Sequence, residues 1–291
     1  MQGGATPVID TQRCLTLDAF DALQAAGEIC LLDIGSPGRF AQAHLPGATH
    51  INPMALLKGY GPAPGDPQEP AAVQAYLAPR LGPAAWGSKR TVVIYDDEGG
   101  AWAGRLVWTL ELFGLKSWAI LDGGLIAWAE AGRPLERGLP AEVPNLPQSA
   151  EATLQAFPHP EVWATKADVL AALEENAACL WDARSPGEYV GAQRTALRNG
   201  HLPGAVNVPV DTLIDPHRGA RLRTDLAEHL SQAGIDGRRP IITHCHSHHR
   251  SGLAYLVGRL LSWPITAYAG SWAEWGNDPQ TPIVSGPNPH A

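Results

Sequence analysis

The chain has 291 residues, of which 45% are hydrophobic and 17% charged, and its formal net charge is −8 with histidine neutral. This length suggests about two domains of ordinary size, and the apolar content is sufficient for buried cores, which excludes wholesale disorder. The acidic balance provides no basic face for nucleic acid.

The N-terminus and the cysteines indicate the compartment. Residues 1–12 lack the basic start and the apolar stretch of a signal peptide, and no apolar run of about 18 residues is long enough to cross a membrane. The four cysteines are scattered and form no CxxC pair, so neither a disulfide framework nor a zinc ribbon is expected. We therefore expect a cytoplasmic protein that binds neither membranes nor nucleic acids.

The sequence contains two copies of one unit. LLDIGSPGRF, beginning at Leu31, matches LWDARSPGEY, beginning at Leu180, and an HLPGA segment follows in each copy. VVIYD, which ends at Asp96, then matches IITHC, which ends at Cys245, and LDGGLIAW matches YAGSWAEW. Four matching blocks in the same order predict a tandem duplication.

The duplication predicts two α/β domains, at residues 1–135 and 161–291, joined by a linker at residues 136–160. Six prolines lie between residues 134 and 160, as is typical of a linker. Short apolar runs such as CLLDI and PIITHC indicate buried strands, and AGRLVWTLELFG has the spacing of an amphipathic helix. Their alternation predicts a mostly parallel sheet flanked by helices in each domain.

The segment after PIITHC carries the residues best suited to chemistry. Ligands bind beyond the carboxyl ends of parallel strands, and Cys245 stands at such an end, just before a predicted helix. Backbone N–H groups there can converge on an anion, which favours the thiolate of Cys245 as a nucleophile near neutral pH. The alternative is a buried structural thiol, for which the three histidines and the arginine of CHSHHR are a poor lining.

These motifs together resemble the rhodanese family of sulfurtransferases. The resemblance rests on DARSPGEY, the HLPGA turn, the CHSHHR loop followed by Ser-Gly, and YAGSWAEW, and it covers nearly the whole chain. The double histidine of the loop is similar to a bacterial thiosulfate sulfurtransferase subgroup. In two-domain members the C-terminal copy carries the cysteine and the N-terminal copy is catalytically silent, which fits Asp96 in the place of Cys245.

The resemblance implies a ping-pong sulfur transfer that needs no metal or organic cofactor. The Cys245 thiolate attacks the outer sulfur of a small anionic donor such as thiosulfate, releases sulfite and retains the sulfur as a persulfide. Cyanide or a thiol acceptor then removes that sulfur. Backbone amides from His246 to Arg250 are expected to hold the negative charge.

The roles of the individual side chains stay open from sequence alone. Arg250 either contacts the substrate or clamps the loop to a carboxylate. His248 or His249 either faces the donor or is a solvated loop residue. Arg184 corresponds to a family arginine that contacts the substrate anion, and its alternative is an ion pair with Glu188. The predicted catalytic residue is Cys245, and the predicted substrate-binding residues are Arg184, His246, Ser247, His248, His249 and Arg250.

Residues shared by both copies are expected to support the fold. Asp182 and Asp33 occupy the same place in the two copies, so a structural task such as bonding loop amides is more plausible for them than catalysis. The silent copy has Gly35 where the other has Arg184. A non-catalytic domain permits that loss.

Three other functions were weighed. A related phosphatase would use Cys-x5-Arg, whereas Cys245 to Arg250 is Cys-x4-Arg, a cradle that fits a single sulfur better than a phosphate. A metal site could recruit His244 and the loop histidines, but strand neighbours point to opposite faces and spaced ligand pairs are lacking, so no metal is expected. A non-enzymatic rhodanese-like module is disfavoured for the whole chain by the presence of Cys245. The N-terminal copy is a plausible module of this kind, and we expect it mainly to cover an interface and to shape one wall of the site.

The choice of donor lies between thiosulfate and 3-mercaptopyruvate. Relatives specific for 3-mercaptopyruvate carry small uncharged residues after the cysteine, whereas the thiosulfate type places cationic residues in the loop. CHSHHR is cationic to the extent that its histidines are protonated. We therefore expect a thiosulfate preference. If the loop histidines bind the donor dianion, turnover with thiosulfate should weaken as the pH rises through their pKa, provided that thiolate formation is already complete. A two-domain chain already covers an interface, so a monomer is expected.

Overall fold

The structure, a computed structural model, describes residues 8–86, 90–139 and 156–290. Each copy of the repeat forms a five-stranded sheet in which every strand pairing is parallel. The predicted α/β fold, with two mostly parallel sheets flanked by helices, is confirmed. The linker predicted at residues 136–160 lies mainly outside the described residues, so it and the domain boundaries stay predictions.

The N-terminal sheet has the strand order β1-β5-β4-β2-β3. Its strands are β1 (Cys14–Leu15), β2 (Ile29–Ile34), β3 (Thr49–Ile51), β4 (Thr91–Tyr95) and β5 (Trp118–Leu121). The helices of this half are α1 (Leu17–Ala25), α2 (Pro37–Gln42), α3 (Pro70–Trp86, kinked at Gly82), α4 (Ala101–Leu112) and α5 (Gly124–Glu130), with a 3₁₀ turn at Pro53–Leu56.

The C-terminal sheet repeats this order as β6-β12-β11-β7-β8, and β9 pairs with β10 in a separate antiparallel ribbon. The strands are β6 (Trp163–Ala164), β7 (Cys179–Asp182), β8 (Val206–Asn207), β9 (Ile214–Asp215), β10 (Arg221–Leu222), β11 (Ile241–His244) and β12 (Ile265–Tyr268). The helices are α6 (Lys166–Glu175), α7 (Pro186–Tyr189), α8 (Leu226–Gln232), α9 (Arg250–Leu260) and α10 (Ser271–Trp275), with 3₁₀ turns at Pro160–Val162 and Val210–Leu213. Within the described ranges, none of the helices has the length and apolar character required to cross a membrane.

The repeated SPG sequence starts the same short helix in both copies. Ser36 and Ser185 cap α2 and α7 by accepting a hydrogen bond from the amide three residues later, and a proline occupies the first helical turn. In α7, the Glu188 carboxylate also accepts from the Ser185 amide at 3.1 Å, which completes a capping box. The cap therefore fixes the position of the Glu188 carboxylate next to the sheet edge.

The two halves pack together through α4 and α9, the helices that follow the central strands β4 and β11. Gly104 and Gly252 lie at the closest approach of the two helices. A Cβ atom added to Gly104 would stand 2.1 Å from the Gly252 carbonyl oxygen, and one added to Gly252 would stand 2.6 Å from the Ala101 carbonyl oxygen. Apolar residues of both helices, among them Trp108 and Leu256, belong to one buried core that spans the halves. The loops that precede α4 and α9 consequently lie against each other.

Gly104→Ala is expected to destabilise the protein by about 1–3 kcal/mol, because the added methyl group forces the two helix backbones apart. Urea unfolding measures the difference. Gly38→Ala is the matched control, since a Cβ at this exposed helical glycine meets no atom within 4 Å. Equal stability of the Gly104 and Gly38 variants would contradict close packing of α4 on α9.

Candidate active site

Cys245 directly follows the buried central strand β11 and lies five residues before the first residue of α9. The Cys245 and His246 carbonyls accept hydrogen bonds from the Trp272 and Ala273 amides, at 3.0 and 2.8 Å, and the Ser271 hydroxyl accepts from the Cys245 amide at 3.3 Å. The GSW segment of the sequence thus anchors the first turn of the loop. Because these carbonyls point toward α10, the amides that follow Cys245 can point to the opposite side of the loop.

The loop amides form an anion-binding concavity. In the part of the chain that the structure describes, the amides of His246 to His249 donate no hydrogen bond to another protein group. His248 has a φ of 53°, in the left-handed region, and His249 follows in the right-handed helical region. A change of hand of this kind turns successive N–H groups toward one point, where they bind anions.

The N-terminal copy, which the sequence predicts to be catalytically silent and which is called the silent copy below, holds an acidic side chain in a loop of this kind. Asp96, the counterpart of Cys245, is 2% exposed, and its carboxylate accepts hydrogen bonds from the amides of Glu98 (3.1 Å), Gly100 (2.8 Å) and Ala103 (2.9 Å). Burial raises the pKa of Asp96, and these three amides oppose the rise. The loop after this strand therefore donates three backbone N–H groups to one acidic side chain, and in the C-terminal copy a sulfur atom stands at that position.

Arg250 is held by a carboxylate of its own half. Its Nη1 and Nη2 donate to Glu188 Oε2 and Oε1 at 2.6 and 2.8 Å, which is a bidentate pair. Burial alone would raise the pKa of Glu188, but the hydrogen bonds and the charge of Arg250 lower it to about 2. This is the clamp geometry considered for Arg250. A direct substrate contact by Arg250 stays a prediction.

Glu188→Gln is expected to lower the free energy of unfolding by about 2 kcal/mol at pH 6, since it leaves Arg250 without a charged partner at a site that is only partly exposed. The folded pKa lies below the ordinary value of 4.5, so the wild-type advantage is present above about pH 4.5 and is lost as the pH falls toward 2. Urea midpoints of the two proteins between pH 3 and pH 7 measure it. A difference that does not change with pH would contradict the ion pair.

Arg184 is fully buried beside Asp182. Its Nε donates to Asp182 Oδ1 at 2.9 Å, its Nη2 donates to Asp182 Oδ2 at 2.5 Å and to the Gly200 carbonyl at 2.8 Å, and the guanidinium lies 4.2 Å from the Trp272 ring centre. The alternative pairing with Glu188 considered from sequence is wrong, because the carboxylate that Arg184 meets is Asp182. Its Nη1 has no hydrogen-bond partner among the described residues. Substrate contact by Arg184 stays a prediction, and Nη1 is the group available for it.

Asp182 bonds the loop as well as the arginine side chain, since its Oδ1 accepts the Arg184 amide at 3.0 Å. Burial opposes its ionisation, but the nearby charges of Arg184 and His244 hold its pKa below the ordinary value. In the silent copy Arg39 takes the place of the missing arginine. Its guanidinium bonds to Asp33, and a Cβ at Gly35 would collide with it. Both copies thus neutralise the buried aspartate at the end of the first strand.

The side chain of His248 faces the interface between the halves. It is fully buried, its Nδ1 lies 2.8 Å from the Ser251 hydroxyl, and its ring meets the Trp108 ring edge-on at 4.7 Å. Burial, followed by the charge of Arg105, holds its pKa well below 6.5. A donor contact by the His248 side chain stays a prediction, and its burial disfavours a positive charge there.

His249 is held by three residues of the silent copy. Its Nε2 lies 3.0 Å from the Glu98 carboxylate, its ring centre lies 4.1 Å from that of Trp102, and its Nδ1 lies 3.4 Å from the Tyr60 hydroxyl. The hydrogen bond to His249 lowers the pKa of Glu98. A donor contact by His249 stays a prediction, and the structure adds that the Glu98 carboxylate already lies against its ring.

The two remaining loop residues are His246 and Ser247. His246 is half-buried, burial lowers its pKa, and its Nδ1 has no partner among the described residues. Ser247 is 6% exposed, and a Cβ at Gly65 would stand 1.9 Å from the Ser247 carbonyl oxygen. The segment around Gly65 therefore covers the loop, and the substrate contacts predicted for these two residues stay predictions.

The sequence predicted that the N-terminal copy shapes one wall of the site, but it did not identify the residues that form this wall. Glu98 and Trp102 follow β4, at the sheet edge equivalent to that of Cys245, so their position after a strand was the available signal. Tyr60 and Gly65 lie in the segment GYGPAPGD, which offered no motif. Tyr60 remains 43% exposed beside His249 and marks the open side of the site.

The fold and the site together define a tandem α/β protein with one cysteine-led anion cradle. A sequence profile of the rhodanese-like domain matches residues 16–131 and 165–278. The chain belongs to the rhodanese family.

The relatives carry two enzyme names. Over 89% of its length the chain is 42% identical to the thiosulfate sulfurtransferase of Azotobacter vinelandii and 40% identical to that of Pseudomonas aeruginosa, covering 92% of each. Over 88% of its length it is 30% identical to the 3-mercaptopyruvate sulfurtransferase of Escherichia coli, covering 92% of it. Among solved structures, that of YnjE superposes with a TM-score of 0.79 at 21% identity, over 95% of this chain and 69% of the other, which shows the shared fold.

Proposed function

We propose that this protein is a thiosulfate sulfurtransferase that carries the transferred sulfur as a persulfide on Cys245. The observation that carries the proposal is the pair of equivalent loops. One holds the Asp96 carboxyl group with three backbone amides, and the other presents Cys245 to amides that donate to no protein group among the described residues. The identity to two thiosulfate sulfurtransferases supports it.

The first half-reaction makes one sulfur–sulfur bond and breaks another. The Cys245 thiolate attacks the outer sulfur of thiosulfate, the sulfur–sulfur bond of the donor breaks, and sulfite leaves with the bonding electron pair. The outer sulfur stays on Cys245 as a persulfide anion. The loop amides from His246 to Arg250 stabilise that anion and the charge that develops on the leaving group.

The second half-reaction returns the free enzyme. Cyanide or a thiolate attacks the terminal sulfur of the persulfide, the bond to the Cys245 sulfur breaks, and the Cys245 thiolate is regenerated. Donor and acceptor use the same cradle in turn, so the kinetics are ping-pong. The atom in transit travels on the protein itself, so no cofactor is required for this chemistry.

The basis for the thiosulfate preference differs from the one expected from sequence. Glu188 neutralises Arg250, Glu98 lies against His249, and burial disfavours a charge on His248. The charge of a thiosulfate dianion is therefore met mainly by backbone amides and by the free Nη1 of Arg184. On this account, turnover with thiosulfate does not follow the titration of His248.

A comparison of donors tests the proposal. Thiocyanate formation from cyanide is measured with thiosulfate and with 3-mercaptopyruvate, and kcat/KM is expected to be larger for thiosulfate. A larger value for 3-mercaptopyruvate would assign the chain to the second enzyme name among its relatives. Absence of turnover with both donors would contradict the proposed function.

We also propose that the protein acts as a monomer in the cytoplasm. All four cysteines are free, as suits a reducing compartment. The faces of α4 and α9 cover each other within one chain, which removes the need for a second copy. Light scattering after gel filtration tests the first part, and a mass of two chains would contradict it.

A further inference from the structure

Arg105, on α4 of the silent copy, is a buried cation with unused donors. Its side chain is 1% exposed, and its guanidinium lies 4.5 Å from the Trp108 ring centre. Nη1 donates to the His248 carbonyl oxygen at 3.4 Å, while Nε and Nη2 have no partner among the described residues. An arginine in this state has given up its hydration without a full set of protein contacts, which is costly unless an anion is close.

The other arginines at the two loops each have a carboxylate. Arg184 pairs with Asp182, Arg250 pairs with Glu188, and Arg39 pairs with Asp33. Arg105 differs, since no carboxylate of the described residues lies within 4 Å of its guanidinium. A buried charge that is unpaired beside an anion cradle requires a separate explanation.

The charged groups around Arg105 come from two segments. Asp66 approaches from the segment that covers the loop, and Cys245 and His248 belong to the loop itself. Burial lowers the pKa of Arg105 to about 9, and negative charges at Asp66 and Cys245 oppose that change. Burial also raises the pKa of Asp66, so this carboxyl is a weak counter-ion.

We infer that Arg105 is the buried counter-charge of the Cys245 thiolate and persulfide, and thus a positioning residue that the silent copy contributes to the reaction. The glycine contact between α4 and α9 brings its guanidinium behind the loop, with Nη1 on the His248 carbonyl. The inference rests on the proposed function, because it takes Cys245 as the nucleophile. On this inference, the silent copy stabilises the negative charge at Cys245 in addition to forming a wall of the site.

A titration of the Cys245 thiol tests the inference without any sulfur donor. The ultraviolet absorbance of the thiolate is followed against pH, and the matching Cys245→Ser protein is subtracted as the blank. In Arg105→Gln the midpoint is expected at higher pH than in the wild type, with the thiolate-to-thiol ratio about tenfold lower at the wild-type midpoint.

Arg80→Gln is the matched control. Arg80 also lies over an aromatic ring of the N-terminal half, 3.7 Å from the Tyr76 ring centre, and donates to a backbone carbonyl. Its midpoint is expected at the wild-type pH. An unchanged midpoint in Arg105→Gln, or an equal displacement in Arg80→Gln and Arg105→Gln, would overturn the inference.

A second variant covers the case in which Arg105→Gln does not fold. Asp66→Asn removes the competing negative charge, so Arg105 acts on the thiolate alone and the midpoint is expected at lower pH. An unchanged or higher midpoint would overturn the inference. Failure of the proposed function has a different signature, since it appears as thiocyanate formation that persists without Cys245.

Discussion

Cys245→Ser abolishes thiocyanate formation, with an expected loss of at least about three orders of magnitude in turnover, because the hydroxyl is not ionised near neutral pH and cannot store a sulfur atom. The substitution is nearly isosteric at a position that is 1% exposed. Its urea midpoint is therefore expected near that of the wild type. The assay uses thiosulfate and cyanide at saturating concentrations.

Cys179→Ser is the matched control for this experiment. Cys179 lies at the start of β7 in the same half, and burial raises the pKa of its thiol, so it is a poor nucleophile. Turnover is expected to stay within about twofold of the wild type, as for a residue remote from the chemistry. Activity that survives in Cys245→Ser, or that is lost in Cys179→Ser, would contradict the assigned nucleophile.

Asp182→Asn is expected to cost about 3–5 kcal/mol of stability, because it leaves the fully buried Arg184 without its counter-charge. The Asp182 carboxylate also holds the Arg184 amide, so the end of β7 loses a backbone contact next to the site. Urea unfolding at pH 7 measures the cost. A fall in kcat/KM for thiosulfate is expected in the fraction that remains folded.

The duplication supplies the matched control, Asp33→Asn. Asp33 is equally buried, but Arg39 is 15% exposed and has a second carboxylate, Asp97, at 3.2 Å. The stability cost is therefore expected to be smaller, and kcat/KM is expected to be unchanged. Equal losses of stability in Asp182→Asn and Asp33→Asn would contradict the expectation that the deeper burial and the single carboxylate partner of Arg184 increase the stability cost.

Much of the fold could be predicted because the sequence contains the same structural unit twice. The repeated SPG helix starts and the apolar runs give both copies the same strand order. The histidines that precede the two Pro-Gly turns also take equivalent places, since His44 stacks on Phe40 and His201 stacks on Tyr189. The position of Cys245 followed from the rule that the ends of parallel strands carry ligands.

The partners of charged side chains could not be predicted in the same way. Glu188 pairs with Arg250, which is 62 residues away in the sequence, whereas Arg184 pairs with Asp182, which is two residues away. Which ion pair forms depends on how three segments are arranged at one edge of the sheet. The sequence shows the order of these segments along the chain but not their arrangement in space. The sequence predicts a cationic loop because its own basic residues are adjacent in the chain, whereas the carboxylates that face them lie in other segments.

The contribution of the silent copy was the other gap. The lack of a cysteine and of a cationic cluster directly after β4 fits the predicted catalytic silence of the N-terminal copy, but it does not reveal which of its residues contact the other half. Glu98, Trp102 and Arg105 each reach the loop after β11 because α4 packs against α9. Such contacts arise from the pairing of the two domains, which leaves no periodic pattern within either copy.

The most direct test of the central claim is the mass of the intact protein after incubation with thiosulfate alone, followed by removal of the donor. The account predicts a gain of one sulfur atom per chain, located on the peptide that contains Cys245 and lost again, as thiocyanate, when cyanide is added. The Cys245→Ser protein should gain nothing. A stable sulfur on Cys14, Cys30 or Cys179, or turnover without any sulfur bound to the protein, would contradict transfer through a Cys245 persulfide.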